Sequence, residues 1–192
     1  MASEVRVFHD HPRCAAQIAE GLHHYADTNH DIVFVCIGST RCIGDAVGPF
    51  VGTYLMESGV PNVYGTLDDP VHATNLVEKL CSVRANHPRA FIVAVDACLG
   101  LTTSVGEIQM VVGSLRPGIG VGNDLPAVGD VAIGAIVNVQ GLASFLILQN
   151  TNLSLVVRMA KQISEGINLW LSGACKQVAA SQNEVNTCAS ES

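Results

Sequence analysis

The chain has 192 residues, of which 48% are hydrophobic, and this length fits a single domain with a core large enough to fold without disulfides. The formal net charge is −7, and the 10 lysines and arginines form no basic cluster. This charge excludes a nucleic-acid binder that relies on phosphate contacts and suits a protein or peptide partner, especially a basic one.

The predicted elements alternate between helices and strands. Continuous β-branched runs predict buried strands, and apolar residues at helical spacing predict helices. In chain order the sequence predicts a helix over 10–25, a strand over 32–37, a helix over 46–57, a strand over 62–66, a helix over 72–83, strands over 91–95, 106–112 and 131–137, and helix in two pieces over 142–171, dividing near residue 150.

Two segments are predicted to lack regular structure. Residues 113–129 contain five glycines and two prolines, which fits either a hinged lid over a site or an ordered connection packed on the domain. The tail over 176–192 is polar and aperiodic and is predicted to be unordered. Residues 1–175 are therefore predicted to form one α/β domain, a three-layer α/β/α sandwich with a mostly parallel sheet.

Two aspartates follow strands of this predicted sheet. Asp45 comes after the strand over 32–37, and Asp96 directly follows the strand over 91–95. In the common doubly wound order these strands are neighbours, and the topological switch point lies between them. Since neighbouring strands are about 4.8 Å apart, the two carboxyls could share a proton or a water, with one pKa pushed upward. The alternative is that Asp45 caps its helix and Asp96 caps a turn.

Other chemistries have weaker signals. Neither glycine-containing loop matches a phosphate-binding or dinucleotide-binding motif. His72 follows the second strand and could orient a substrate or act as a ligand, although the cysteines and histidines show no zinc spacing. Cys42, Ser39 and Thr40 could be nucleophiles, but the sequence places no base beside them. We expect no cofactor.

The sequence also predicts where the protein works. The seven cysteines are odd in number and lack Cys-x-x-Cys pairs, so reduced thiols are expected. No apolar run reaches the roughly 18 residues that cross a bilayer, and residues 1–13 are polar rather than signal-like. We therefore expect a cytoplasmic protein without a membrane partner. The oligomeric state stays open, and a homo-oligomer is one option.

Several motifs resemble those of a known family. They are the runs over 38–49, 65–73, 95–97, 116–118, 124–130 and 137–141. They closely resemble the YyaC family of sporulation proteins, which are candidate spore proteases, and the resemblance covers about residues 30–172. More remotely, they are similar to the germination protease that degrades small acid-soluble spore proteins and to hydrogenase-maturing endopeptidases. The resemblance implies a phosphorylase/hydrolase-like fold and a location in the forespore or mother cell.

The resemblance also implies roles for individual residues. Asp45, in Gly-Asp-Ala-Val-Gly-Pro, and Asp96, in Val-Asp-Ala, match the aspartate pair thought to form the site of the germination protease. In the hydrogenase-maturing endopeptidases these positions bind metal together with a histidine. Asn138 stands at the histidine's place here, and because an amide is a poor substitute for an imidazole ligand, no metal is expected.

The sequence therefore predicts a sporulation-associated peptidase in which Asp45 and Asp96 activate a water that attacks a peptide carbonyl. Other groups would polarise that carbonyl or bind the substrate. The candidates are Arg41, His72, Asn138, Gly118, Gly120 and Gly122. The competing hypothesis is a catalytically inactive adaptor that keeps the fold and the site loops.

Overall fold

A computed structural model describes residues 4–118 and 125–189, with the side chains of the last helix described as far as Gly173. The strands are β1 (Glu4–Phe8), β2 (Ile32–Cys36), β3 (Val63–Tyr64), β4 (Phe91–Gly100), β5 (Glu107–Val112) and β6 (Val131–Val139). The helices are α1 (Cys14–Tyr25), α2 (Val47–Glu57), α3 (Leu76–Asn86), α4 (Ser144–Gln149) and α5 (Leu153–Ala189). Short 3₁₀ turns lie at Gly44–Ala46 and Thr102–Ser104.

The strands form one six-stranded sheet in the order β1-β5-β6-β4-β2-β3. The neighbours β6, β4, β2 and β3 run parallel, whereas β5 pairs antiparallel with both β1 and β6. The strand β2 therefore has β4 on one side and β3 on the other, which confirms the predicted doubly wound order and its switch point between β2 and β4.

Both faces of the sheet are covered. On β2, Phe34 and Cys36 pack into a core with α1, α2 and α5. Val33 and Val35 point to the opposite face and pack into a second core with α3. Burial on both faces explains why the sequence of β2 is continuously apolar rather than alternating. The structure confirms the α/β sandwich with a mostly parallel sheet.

The ends of the sheet differ from the sequence prediction. The strand β1 was not predicted, because its sequence is short and lies at the sheet edge, where Val7 is buried while Phe8 is exposed. The strand β4 continues to Gly100 and β6 to Val139, beyond their predicted ends at residues 95 and 137. The extra residues pair with each other across an irregularity between Cys98 and Leu99.

The helices also differ at their ends. The helix α1 begins at Cys14, after turns formed by the residues predicted to open it, and α3 begins at Leu76 rather than near residue 72. The helix α5 continues to Ala189, through most of the tail predicted to be unordered. Alanine, glutamine and lysine in this segment favour helix without apolar periodicity. The division into a domain over 1–175 and a tail stays a prediction.

Within the residues that the structure describes, no helix combines the length and the apolar character needed to cross a membrane.

Candidate active site

The two aspartates come together at the switch point between β2 and β4. Asp96 lies inside β4, one residue past Val95, where the pairing of β4 with β2 ends opposite Cys36. Asp45 lies in the 3₁₀ turn Gly44–Ala46 that leads into α2. Both aspartates line one cavity of about 390 Å³. Asp96 is thus part of a strand, although this strand was predicted to end at residue 95, because β4 extends beyond its neighbour β2.

A tight turn carries the chain from β2 toward Asp45. The amide of Gly38 donates to the Val71 carbonyl at 2.8 Å, and the amide of Ser39 donates to the Asp45 carbonyl at 3.1 Å. Gly38 has a φ of 150°, and a Cβ added to it would lie 1.9 Å from the Asp45 carbonyl oxygen. Only glycine therefore fits here, and its absent side chain allows the turn to close on Asp45.

We expect Gly38→Ala to displace the Asp45 turn, lowering the melting temperature by about 5 °C or more. The matched control is Gly59→Ala, since Gly59 also has a positive φ, 78°, but no neighbour within 4 Å of an added Cβ. It carries the backbone strain without the clash. Thermal unfolding followed by circular dichroism measures both variants. Equal losses of stability would contradict the close contact between Gly38 and Asp45.

The two carboxyls have different pKa values because their surroundings differ. Burial raises the pKa of Asp96 well above its usual value, and the nearby charge of Asp45 raises it further, while a hydrogen bond from the Ala97 amide opposes both. Burial also raises the pKa of Asp45, to about 6, against a hydrogen bond with the Ser39 backbone. Around neutral pH this environment favours an ionised Asp45 beside a protonated Asp96.

Helix capping does not describe these contacts. The residues at the N-caps of the 3₁₀ turn and of α2 are Ile43 and Ala46, and neither position has a side-chain capping bond. The Oδ1 atom of Asp96 accepts a hydrogen bond of 2.9 Å from the amide of Ala97, within β4 rather than at a turn.

The cavity includes three of the other predicted site residues. Arg41, His72 and Gly118 line it together with the aspartates. Arg41 is exposed, and His72 is half-buried with its Nδ1 atom 3.0 Å from the Thr74 hydroxyl. Gly120 and Gly122 lie outside the described residues. Their assignment as substrate-binding residues stays a prediction.

Asn138 has a different position from the one predicted. Asn138 does not belong to the described residues that line the cavity. Its side-chain amide donates to the Ile147 carbonyl at 3.1 Å and to the Thr151 hydroxyl at 3.2 Å. The end of β6 is thereby tied to α4 and to the turn after it. These contacts indicate a structural role and leave the amide donors occupied.

An apolar wall of the cavity, which was not predicted from the sequence, is formed by Leu125, Phe145 and Leu148. Phe145 and Leu148 belong to α4, about 100 residues from Asp45 along the chain. This helix lies directly against the Asp45 turn, because a Cβ on Gly44 would come within 2.9 Å of the Leu148 side chain. The sequence carries one signal for the wall, the cluster of large apolar residues at 142–148 within the first piece of the helix predicted over 142–171.

Cys42 also lines the cavity but is a poor nucleophile. Its thiol is buried, and burial is the main reason that its pKa is raised, although backbone hydrogen bonds oppose the shift. A raised pKa keeps the sulfur protonated and unreactive. Burial likewise raises the pKa values of Cys36 and Cys98 to about 12.

In the part of the chain that the structure describes, histidine, cysteine, aspartate and glutamate side chains form no group of three that could hold a metal ion. The expectation of a metal-independent site stays a prediction.

The segment predicted to be a lid or an ordered connection borders the cavity. Leu115 and Val128 pair through two backbone hydrogen bonds of 2.9 and 2.8 Å. Beyond this pair, Pro117, Gly118 and Leu125 line the cavity, and the residues between Gly118 and Leu125 are not described. The base of the segment is therefore an ordered antiparallel pair, and closure of its tip stays a prediction.

Comparison with known proteins gives a family and a relative. A family profile described as "Protein of unknown function (DUF1256)" matches residues 6–166. The chain is also 49% identical over 140 residues to a Bacillus subtilis (strain 168) protein described as "Uncharacterized protein YyaC", covering 72% of this chain and 68% of that protein. This confirms the resemblance to YyaC. The family match contains both aspartates and the apolar wall, and neither description states an activity.

Proposed function

The chain belongs to the DUF1256 family, and we propose that it is a peptidase that hydrolyses peptide bonds through Asp45 and Asp96. The observation that carries this proposal is the shared cavity in which both carboxyls have raised pKa values. Two carboxyls with different ionisation states can supply a base and an acid to the same reaction.

In the proposed reaction, the ionised Asp45 acts as the base and the protonated Asp96 acts as the acid. A water oxygen bonds to the peptide carbonyl carbon while Asp45 takes a proton from the water and Asp96 gives its proton to the carbonyl oxygen. The tetrahedral intermediate then collapses, and the C–N bond breaks as Asp45 passes its proton to the leaving amine. Asp96 regains its proton from the hydroxyl of the intermediate, which restores both groups.

Groups around the cavity suit the remaining tasks. Arg41 is a cation that lines the cavity near the aspartates, so it can stabilise negative charge on the carbonyl oxygen. His72, in the segment between β3 and α3, also lines the cavity and can contact the substrate chain. The backbone amide of Gly118 is a further candidate donor. Asn138 suits this task poorly, because its side-chain amide already donates to the Ile147 carbonyl of α4.

The proposed substrate is a protein or peptide. The net charge of −7 favours a basic one. By the resemblance to the YyaC family and the germination protease, we place the activity in the cytoplasm of the forespore or mother cell. The alternative is a catalytically inactive adaptor on the same fold. A test for cleavage distinguishes this adaptor from the proposed peptidase.

We expect the cleavage rate to rise as the pH increases through about 6, the pKa of Asp45, because the base must be ionised. At higher pH the rate falls when Asp96 loses its proton, which gives a bell-shaped profile. The substrate is the peptide that wild-type protein cleaves fastest when it is given unfolded proteins. Its kcat/KM is measured between about pH 4 and pH 10. A rate that is highest at pH 4 would contradict the assigned base, and absence of cleavage at every pH would support the adaptor.

A further inference from the structure

We propose that the apolar wall formed by Leu125, Phe145 and Leu148 is a subsite for a large apolar side chain beside the scissile bond. The enzyme would then select peptides with a residue such as phenylalanine or leucine at that position. This inference rests on the proposed peptidase function, whose site it extends, and it names the class of substrate that the cavity accepts.

The first observation is the lining of the cavity. Apart from the two aspartates, most of the cavity surface is apolar. The apolar side chains are those of Ile37, Ala73, Pro117, Leu125, Phe145 and Leu148. The cavity volume of about 390 Å³ lies near the lower end of the range of about 300–1,000 Å³ for small ligand sites. It accommodates one or two side chains rather than a folded partner.

The second observation is the exposure of α4. None of its residues is buried, and Phe145 and Leu146 are 59% and 57% exposed, while the preceding Leu142 is fully exposed. Phe145 lines the cavity, and Leu142 and Leu146 are exposed apolar residues close to it along the chain. Contiguous large apolar side chains in contact with water mark a binding surface, because burying them against a ligand releases that water.

The third observation is that the wall is held in place. The Asn138 amide bonds to the Ile147 carbonyl of α4, and Leu148 lies against the turn that carries Asp45. A short helix with these anchors presents Phe145 at a fixed position relative to the aspartates. A preorganised surface of this kind binds without ordering itself first.

The group that occupies the wall can be inferred, because the wall and the two aspartates line the same cavity. A peptide whose carbonyl lies between Asp45 and Asp96 must place an adjacent side chain in the same cavity, and Phe145 and Leu148 are part of its wall. The ionised Asp45 repels an acidic side chain there, and a small polar side chain leaves the wall in contact with water. An apolar side chain covers the wall.

Binding is tested separately from cleavage by using Asp96→Asn protein. The probes are labelled peptides that differ only at one central residue, phenylalanine, serine or lysine, and fluorescence anisotropy measures their affinity. We expect the phenylalanine peptide to bind about tenfold or more tightly than the serine peptide. Adding Phe145→Ala should remove most of this preference. The matched control is Met56→Ala, because Met56 is 52% exposed but lies at the distant end of α2.

The same peptides, given to wild-type protein, separate this inference from the proposed function. Cleavage of all three peptides at equal rates would overturn the apolar subsite while leaving the peptidase intact. Tight binding of the phenylalanine peptide that depends on Phe145 but leads to no cleavage would support the subsite and overturn the peptidase. Equal affinity for the three peptides, or loss of affinity in Met56→Ala as large as in Phe145→Ala, would also overturn the subsite.

Discussion

We expect Asp45→Asn and Asp96→Asn each to lower kcat/KM for peptide hydrolysis by about 1,000-fold or more, and the double variant to be scarcely slower than either single variant. Each substitution removes one partner of a pair that acts as a unit, either the base or the acid, so the two losses do not add. Both side chains line the same cavity, and the charge of one raises the pKa of the other. The rates are measured on the same peptide, with circular dichroism to confirm the fold.

The matched control for this experiment is Asp68→Asn. Asp68 is exposed and is not among the described residues that line the cavity, so its substitution removes a negative charge without touching the pair. We expect it to leave the rate within about twofold of wild type. An Asp45→Asn or Asp96→Asn protein that cleaves as fast as the Asp68→Asn control would show that the pair does not catalyse the reaction.

We expect Asp96→Asn to stabilise the folded protein at neutral pH. Burial raises the folded-state pKa of Asp96 well above 3.8, whereas the unfolded chain releases this proton near its ordinary pKa. As the pH rises above that ordinary pKa, the unfolded state loses a proton that the folded state keeps, so the wild type loses stability. Asparagine cannot ionise, and its carbonyl oxygen can still accept the hydrogen bond from the Ala97 amide.

We expect the melting temperature of Asp96→Asn to exceed that of wild type by about 5 °C or more at pH 7. The gain should become small near pH 4, where Asp96 is protonated in the folded state and about half protonated in the unfolded chain. Thermal unfolding at several pH values measures it, with Asp68→Asn as the control for a general charge effect. A gain of the same size at pH 4 and pH 7, or an equal gain in Asp68→Asn, would show that the buried carboxyl is not its cause.

The sequence predicts the centre of this fold well. The continuous apolar run of β2 and the helical period of α2 are local signals, and they place Asp45 between a buried strand and a helix. The rule for doubly wound sheets then puts β4 beside β2 and Asp96 beside the same crevice. Both aspartates could therefore be assigned to one site without knowledge of any contact.

The parts that sequence reasoning missed depend on residues far apart in the chain. The extension of β4 past Asp96 exists because Leu99 and Gly100 pair with Asn138 and Val139 of β6. No local pattern in either segment indicates that pairing. The apolar wall was also missed, because α4 is only six residues long and contacts the Asp45 turn across about 100 residues of chain, which its own sequence does not indicate. Asn138 looks like a site residue by motif, yet its position beside α4 gives it a supporting contact.

Identification of the products by mass spectrometry tests the central claim most directly. Peptides from a denatured bacterial proteome are incubated with wild-type protein, Asp45→Asn and Asp96→Asn in water enriched in oxygen-18. If the pair activates water, wild-type protein generates new C-termini that each carry one oxygen-18 atom, and both variants generate almost none. The account is contradicted if wild-type protein produces no new termini, or if either variant produces the same labelled termini at the wild-type rate.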